Sequence, residues 1–358
     1  MRWSEKIYSG PLNEYTYPRD IECGELLQFL KSIDGNKRVH LTDVMFRNNY
    51  PPTGYDVYII CSFGEFVDEE YIRRLDNDEN ISNPIVLTSQ IYTSTDYKRV
   101  KIFHLEHLHT IKRFFNKESY SALKDRTKSH GVLSRRNALH KTIITAKLLN
   151  KFNDKLNYTF CNNQIVTDHS GQTVGGSKEY KPNVFKQELD VFYPSIKLND
   201  ADYAVIEFLH KNPVAVPGNQ WGTDNVVYQD SKIIWATESI FLSRANSPLA
   251  YLTEKIIKPI ISGSAFVLVS QQHSQLRLDN LGFKSPLELS SDAESDTERF
   301  NELFDLIDNY DFDALVNSKE TQEIVDYNYN YFWGAFYSHI EYRNQERIEA
   351  ILDYINET

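Results

Sequence analysis

The sequence is short of cysteine, methionine and glycine, and it has no long apolar run. Its three cysteines, Cys23, Cys61 and Cys161, stand far apart and are odd in number. That argues against a disulfide framework and a cysteine-based zinc site and fits a reducing compartment; the expected location is cytoplasmic, the host cytoplasm if the source is viral. No stretch approaches the roughly 18 apolar residues of a membrane span, and Met1-Arg2-Trp3-Ser4-Glu5-Lys6 lacks the apolar core of an export signal. Positive charge is missing in bulk. A formal net charge of −11 disfavours nonspecific binding to nucleic acid or to an acidic membrane surface. No Gly-x-Gly-x-x-Gly, phosphate-loop or Gly-x-Ser-x-Gly sequence occurs, so dehydrogenase and hydrolase readings lack support.

What is present is an ordinary globular composition, 41% hydrophobic and 25% charged, over 358 residues. That length predicts two domains. Strand and helix patterns alternate, which predicts an α/β fold with parallel sheets. The best strand is Tyr55 to Ser62, a nearly continuous apolar run; others are expected at Arg38 to Met45, Pro84 to Thr88, Val100 to His104, Tyr158 to Cys161, Lys232 to Thr237 and Ala265 to Ser270. Helices are expected near Glu25 to Ile33, Glu69 to Leu75, Glu106 to Phe115, Ala201 to His210, Leu252 to Ser262, Thr297 to Tyr310 and Glu341 to Asn356. The strongest amphipathic pattern runs from about Ser134, an available N-cap, to Phe152. The polar stretch from Asn116 to Gly131 is read as the crossing between an N-terminal domain, 1–125, and a C-terminal domain, 126–358. Residues 168–181 read as a loop.

The chemistry concentrates in Thr237-Glu238 and in Leu252-Thr253-Glu254-Lys255. A strand ending in a carboxylate, followed by a helix opening on Thr-Glu-Lys, sets polar groups at the C-terminal edge of a parallel sheet, where ligands bind. A carboxylate accepts from ribose hydroxyls, and a diphosphate needs cations and helix N-terminal amides. The bland alternative is a solvated first helical turn with Glu favoured by the helix dipole.

Thr237-Glu238, Leu252-Thr253-Glu254-Lys255, Lys258-Pro259-Ile260, Ala265-Phe266, Leu281-Gly282-Phe283 and Glu298-Arg299-Phe300 together resemble the C-terminal signature of phage-type and bacterial glycosyltransferases related to the α1,3-fucosyltransferases. A second block, Leu133 to Lys141 with Leu148-Leu149, resembles the start of the same domain, with Leu139-His140-Lys141 where Pro-His-Arg is more usual. The resemblance implies a GT-B-like architecture, two Rossmann-like domains facing a cleft. It implies that Glu254 holds the donor ribose and Lys255 the diphosphate, with Arg135 or Arg136 as a second cation and Glu238 and Thr253 beside them. The donor is then a nucleotide-diphosphate sugar, a co-substrate, with no cofactor and no metal. Transfer is expected to be inverting, with a glycan hydroxyl as acceptor.

The catalytic base is sought in the N-terminal domain. Glu65 follows the best strand at the right sheet edge, and Glu106 and His107 are the other candidates; Asp43 and Asp68 are weaker ones. His104, Glu106, His107 and His109 form a dense cluster in which a metal site is the minor reading. Two rival functions stand beside the main one. A phage enzyme could glycosylate a hydroxymethylated DNA base, using the basic run Lys112, Arg113, Lys117, Lys124, Arg126 and Lys128. Alternatively the chain is a non-catalytic nucleotide-sugar binder or interaction module that kept only the fold.

Overall fold

A computed structural model describes residues 2–3, 38–43, 51, 53–62, 69–88, 97–106, 117, 120–134, 138–160, 166–167, 173–174, 181–194, 196–214, 226–238, 241, 250, 252–287, 289 and 295–358. The chain forms two compact units: Met1–Arg113 with Arg244–Leu249 and Ala335–Thr358, and Phe114–Ser243 with Ala250–Gly334. Both carry parallel sheets, so the α/β class holds.

The first unit contains β1 (Arg2–Trp3), β2 (Arg38–Asp43), β3 (Val57–Ser62), helix α1 (Glu69–Asn77), β4 (Pro84–Thr88) and β5 (Lys101–His104). The five strands lie in chain order, each parallel to the next. Its apolar runs are buried on both faces, as a parallel sheet requires. Val57, Ile59, Ile85 and Leu87 form one cluster, and Tyr58, Ile60, Val86, Ile72 and Leu75 another, with the last two supplied by α1.

The second unit contains β6 (Lys128–Ser134), α2 (Leu139–Phe152), β7 (Leu156–Phe160), a two-stranded ribbon of β8 (Val166–Thr167) and β9 (Thr173–Val174), α3 (Pro182–Phe192), α4 (Asp200–Lys211), α5 (Val226–Asp230) and β10 (Ser231–Thr237). It continues with α6 (Glu254–Ile261), β11 (Ala265–Val269), α7 (Ser274–Asn280), α8 (Asp296–Asn309), α9 (Phe312–Asn317) and α10 (Lys319–Tyr331). A π-helical turn, Phe332–Phe336, leads into α11 (Tyr337–Glu357). The sheet order is β11-β10-β6-β7, all parallel. Winding therefore proceeds outward from β6 to β7, returns to the other side of β6, and continues outward from β10 to β11. The reversal places a topological switch point between β6 and β10, the place where open α/β sheets bind ligands.

Several boundaries have visible local causes. Asn199 and Ser295 each open a helix through a reciprocal capping box, with Asp202 and Glu298 as the answering side chains. Gly263 turns the chain between α6 and β11 at φ 63°, with the Tyr120 ring so close that an added Cβ would lie 2.1 Å from it.

The structure differs from the sequence expectations at four points. The amphipathic helix begins at Leu139; Ser134 instead ends β6 and its hydroxyl pairs with Thr145 Oγ1 at 2.9 Å. The boundary between units falls at Arg113/Phe114, ahead of the expected 125/126. The C-terminal helix α11 belongs with the N-terminal sheet, because Ile351 and Ile355 bury against Val57, Ile59 and Leu87. Residues 168–181 include β9, paired antiparallel with β8. The helices expected near Glu25 and Glu106 lie outside the described residues, apart from Glu106 itself.

Burial also makes the second unit acid-sensitive. His130, stacked on Phe152 at 3.8 Å and accepting from Trp235 Nε1 on Nδ1 at 3.3 Å, is held neutral, its pKa pushed down to about 3 by burial and then by Lys155. Burial lowers His140 to about 3 and His210 to about 4. Below about pH 6.5 the unfolded chain takes up these protons and the folded chain does not. Stability is then lost as pH falls, at up to roughly 1.4 kcal/mol per unit for each histidine. Urea midpoints measured from about pH 7.5 down to about pH 5 should fall steadily; a flat profile would contradict the neutral assignment.

Candidate functional site at the switch point

The chemistry-bearing residues of the second unit meet at the carboxyl ends of β6 and β10. Along β10, Ile233 and Trp235 point into the large core with α2, whereas Ile234 belongs to a separate small cluster; alternation puts Glu238 on the Ile234 side. Glu238 is fully buried, and both of its carboxylate oxygens are occupied by Thr253. Oε1 accepts from the Thr253 N–H at 3.1 Å and Oε2 from its hydroxyl at 2.5 Å. Glu238 therefore holds Thr253 through both its backbone N–H and its hydroxyl.

Thr253 is the N-cap of α6. Its Oγ1 accepts from the Lys255 N–H at 3.3 Å and from Lys255 Nζ at 3.0 Å while giving its own proton to Glu238. Lys255 Nζ also reaches Glu254 Oε1 at 3.1 Å, and both side chains remain about a quarter exposed, 27% and 25%. The expected pair thus sits together at the helix start with one side open to water. Burial pushes the Glu254 carboxyl up, but Lys255 and Lys258 outweigh it and hold the pKa at about 2. Glu238 moves the other way, raised by desolvation that the Lys255 charge only partly offsets.

The facing element is the first turn of α2. Its N-cap is Ala138, which has no side chain to cap with, and its first turn carries no acid. Neither a capping side chain at Ala138 nor an acid in the first turn serves its amides. Instead the turn holds His140 and Lys141, both about 95% buried. Lys141 Nζ donates to the Thr237 carbonyl at 3.0 Å, and His140 Nε2 lies 3.0 Å from the Glu238 carbonyl. A carbonyl only accepts, so Nε2 carries the proton. His140 is kept neutral first by burial and then by the charges of Lys141 and Lys255. A buried lysine in a helical first turn opposes the helix dipole. Lys141 and Lys255 thus share the carboxyl edge of β10 with Glu238 and Glu254.

Arg135 and Arg136, between β6 and α2 in sequence, lie outside the described residues, as do Glu65, His107, His109 and Asp68. Asp43 ends β2. Glu106 is described. Its N–H donates to Asn344 Oδ1 at 3.0 Å and its carbonyl accepts from Asn344 Nδ2 at 2.7 Å, so its backbone is pinned to α11. His104 gives its carbonyl to Arg347 at 2.7 Å. No group of three metal-ligating side chains occurs among the described residues, and none of their helices is long and apolar enough to cross a membrane.

Of the basic run, Lys112 and Arg113 lie outside the described residues. Arg126 is buried, its guanidinium turned inward, and Lys128 Nζ donates to the Asp154 carbonyl. A sequence pattern of alternating charge does not distinguish a solvated face from a guanidinium drawn inside by carbonyls. Residues that the sequence reading underweighted are His140, Lys141 and Arg126. The available signal for the first two was an alanine where an N-cap belongs, with a lysine three residues later.

Comparison with protein-family models, with curated proteins and with solved structures returned no match for this chain.

Proposed function

We propose that the second unit binds a nucleotide-diphosphate sugar at the β6/β10 edge and that the chain is a glycosyltransferase, transferring the sugar to a glycan hydroxyl. The observation that carries the reading is the acid-free first turn of α2, opened by Ala138 and holding buried Lys141 against the Thr237 carbonyl, at the sheet edge where α6 opens on Thr253, Glu254 and Lys255. Helix N-terminal amides and ammonium groups are the partners a diphosphate needs, and the leaving diphosphate is where charge develops in the transition state. Glu254, ionised and part-exposed, suits a ribose hydroxyl. Glu238 and Thr253 act one step back, fixing the turn that presents Glu254 and Lys255.

The reading includes the finer architecture, two Rossmann-like domains of the open-cleft kind, with an acceptor and its base supplied by the first. Inverting displacement at the anomeric carbon then needs one carboxylate or imidazole there to take the acceptor proton, with Glu65, Glu106 and His107 as candidates. Cations stabilising the diphosphate would perform the service a divalent metal performs elsewhere.

Thermal melting with uridine, guanosine, adenosine and cytidine diphosphates tests donor binding. One of them at about a hundred times its Kd should stabilise the protein by roughly 2.7 kcal/mol. Absence of a shift with all four at millimolar concentration would remove the donor assignment.

A further inference from the structure

Glu238 is a fully buried carboxylate that touches no cation directly among the described residues. Its oxygens take the Thr253 N–H at 3.1 Å and the Thr253 hydroxyl at 2.5 Å. Donor counting fixes the direction of the second bond. Thr253 Oγ1 already accepts from the Lys255 N–H and from Lys255 Nζ, at 3.3 and 3.0 Å, so its lone pairs are taken and its single proton goes to Glu238. A proton on either Glu238 oxygen would find no acceptor among the described residues. Glu238 is therefore ionised as long as Lys255 rests on Thr253.

The same ammonium reaches Glu254 Oε1 at 3.1 Å, and it is the group that meets the diphosphate in the proposed donor site. A diphosphate that draws Lys255 Nζ off Thr253 does two things at once. It vacates a lone pair on Thr253 Oγ1, and it brings negative charge toward a carboxylate whose pKa desolvation already raises. Glu238 then takes a proton from solvent and donates it to the vacated lone pair, which frees the Thr253 hydroxyl proton for the anion.

The other charged and titratable groups around Glu238 are poor recipients. On α6, Glu254 is held ionised, its pKa about 2, by Lys255 and Lys258 against the effect of burial. On α5, Tyr228 keeps its proton, its pKa pushed up by burial and then by Glu254 and Glu238. On α2, Lys141 donates to the Thr237 carbonyl, and His140 is held neutral by burial and by both lysines with Nε2 on the Glu238 carbonyl. From β11, the Val269 carbonyl accepts from the Glu238 N–H at 2.9 Å.

We infer that the β10 edge takes up a proton together with its anion, and that Glu238 receives it. The inference rests on the donor reading and deepens it, because it makes affinity for the diphosphate depend on pH through a residue held one hydroxyl away from Lys255. Uridine, guanosine, adenosine and cytidine diphosphates, titrated in turn into the full chain by calorimetry at neutral pH in buffers of different ionisation enthalpy, test it. The diphosphate that binds should carry at least about half a proton into the complex, and its affinity should fall by up to about tenfold per pH unit as pH rises through the range of uptake. The difference infrared spectrum of the native protein should gain the carbonyl stretch of a protonated carboxyl on binding. Glu238→Gln accepts from the Thr253 N–H and supplies the donor that the protonated acid would supply, so its complex should form without uptake and with a flat pH profile over the same range. Binding without uptake by the native protein would overturn the inference and leave the donor site standing. Uptake that persists in Glu238→Gln, or uptake without the infrared band, would move the proton to another group such as His140 and overturn it too. No binding of any of the four would remove the donor reading and this inference with it. The infrared band on the native protein decides the matter even if the glutamine variant does not fold.

Discussion

Replacing Arg126 with methionine should destabilise the second unit by at least about 3–5 kcal/mol, because it strands several buried acceptors at about 1–3 kcal/mol each. The guanidinium is 4% exposed and has no carboxylate partner in its hydrogen-bond set. Nε donates to the Ser121 carbonyl at 3.2 Å. Nη1 donates to the Tyr228 and Ser231 carbonyls at 2.9 and 2.7 Å and to Ser264 Oγ at 2.6 Å; Nη2 donates to the Ser262 and Gly263 carbonyls, the latter at 2.9 Å. One side chain thus ties the approach to β6, the end of α5, the start of β10 and the turn between α6 and β11. Methionine fills part of the volume and answers none of those acceptors, each costing about 1–3 kcal/mol when left dry. Burial lowers the Arg126 pKa to about 10, so the group stays charged at neutral pH. For a unit of this size the loss corresponds to a melting temperature roughly 10 °C lower or more. Arg126→Lys should recover only part of it, since three donors on a flexible stem cannot replace a rigid fork of five. A variant melting within a degree or two of the native protein would mean these bonds are dispensable.

The second large effect concerns activity. On the proposed function, Lys255→Ala should lower kcat/KM for donor hydrolysis or transfer by about 10²–10³-fold, the loss seen when one preorganised donor to a developing anion is deleted. Stability should change little, because the side chain is a quarter exposed and Glu254 keeps Lys258 as a neighbouring cation. Lys255→Arg restores charge without the same reach to Thr253 Oγ1 and should fall between. A variant turning over donor at the native rate would separate Lys255 from the phosphates.

The local elements were legible for a simple reason. A strand buried on both faces must be apolar at every position, so Pro84 to Thr88 and Ala265 to Val269 announce themselves. The apolar stripe of α2 likewise needs only its own spacing. Short helices such as α5, α7 and α9 carry too few turns for periodicity to declare them. In the candidate site, Thr253, Glu254 and Lys255 were visible as a helix opening, and the structure sets them at one helix start with Glu238 behind them. Lys141 was read as one of several basic residues, because nothing local says that its ammonium is buried against the end of another strand nearly a hundred residues away.

The sequence by itself determined the α/β class, most strand positions, the lack of any membrane-length apolar run, and the residue types available at the end of β10. Tertiary structure alone decided the strand order, and with it the switch point between β6 and β10. It also decided the inward turn of Arg126, the capture of Glu238 by Thr253 and the return of α11 to the first unit. The division has a physical cause: propensity and periodicity act over neighbouring residues, whereas strand order and the burial of a charge depend on partners far apart in the chain.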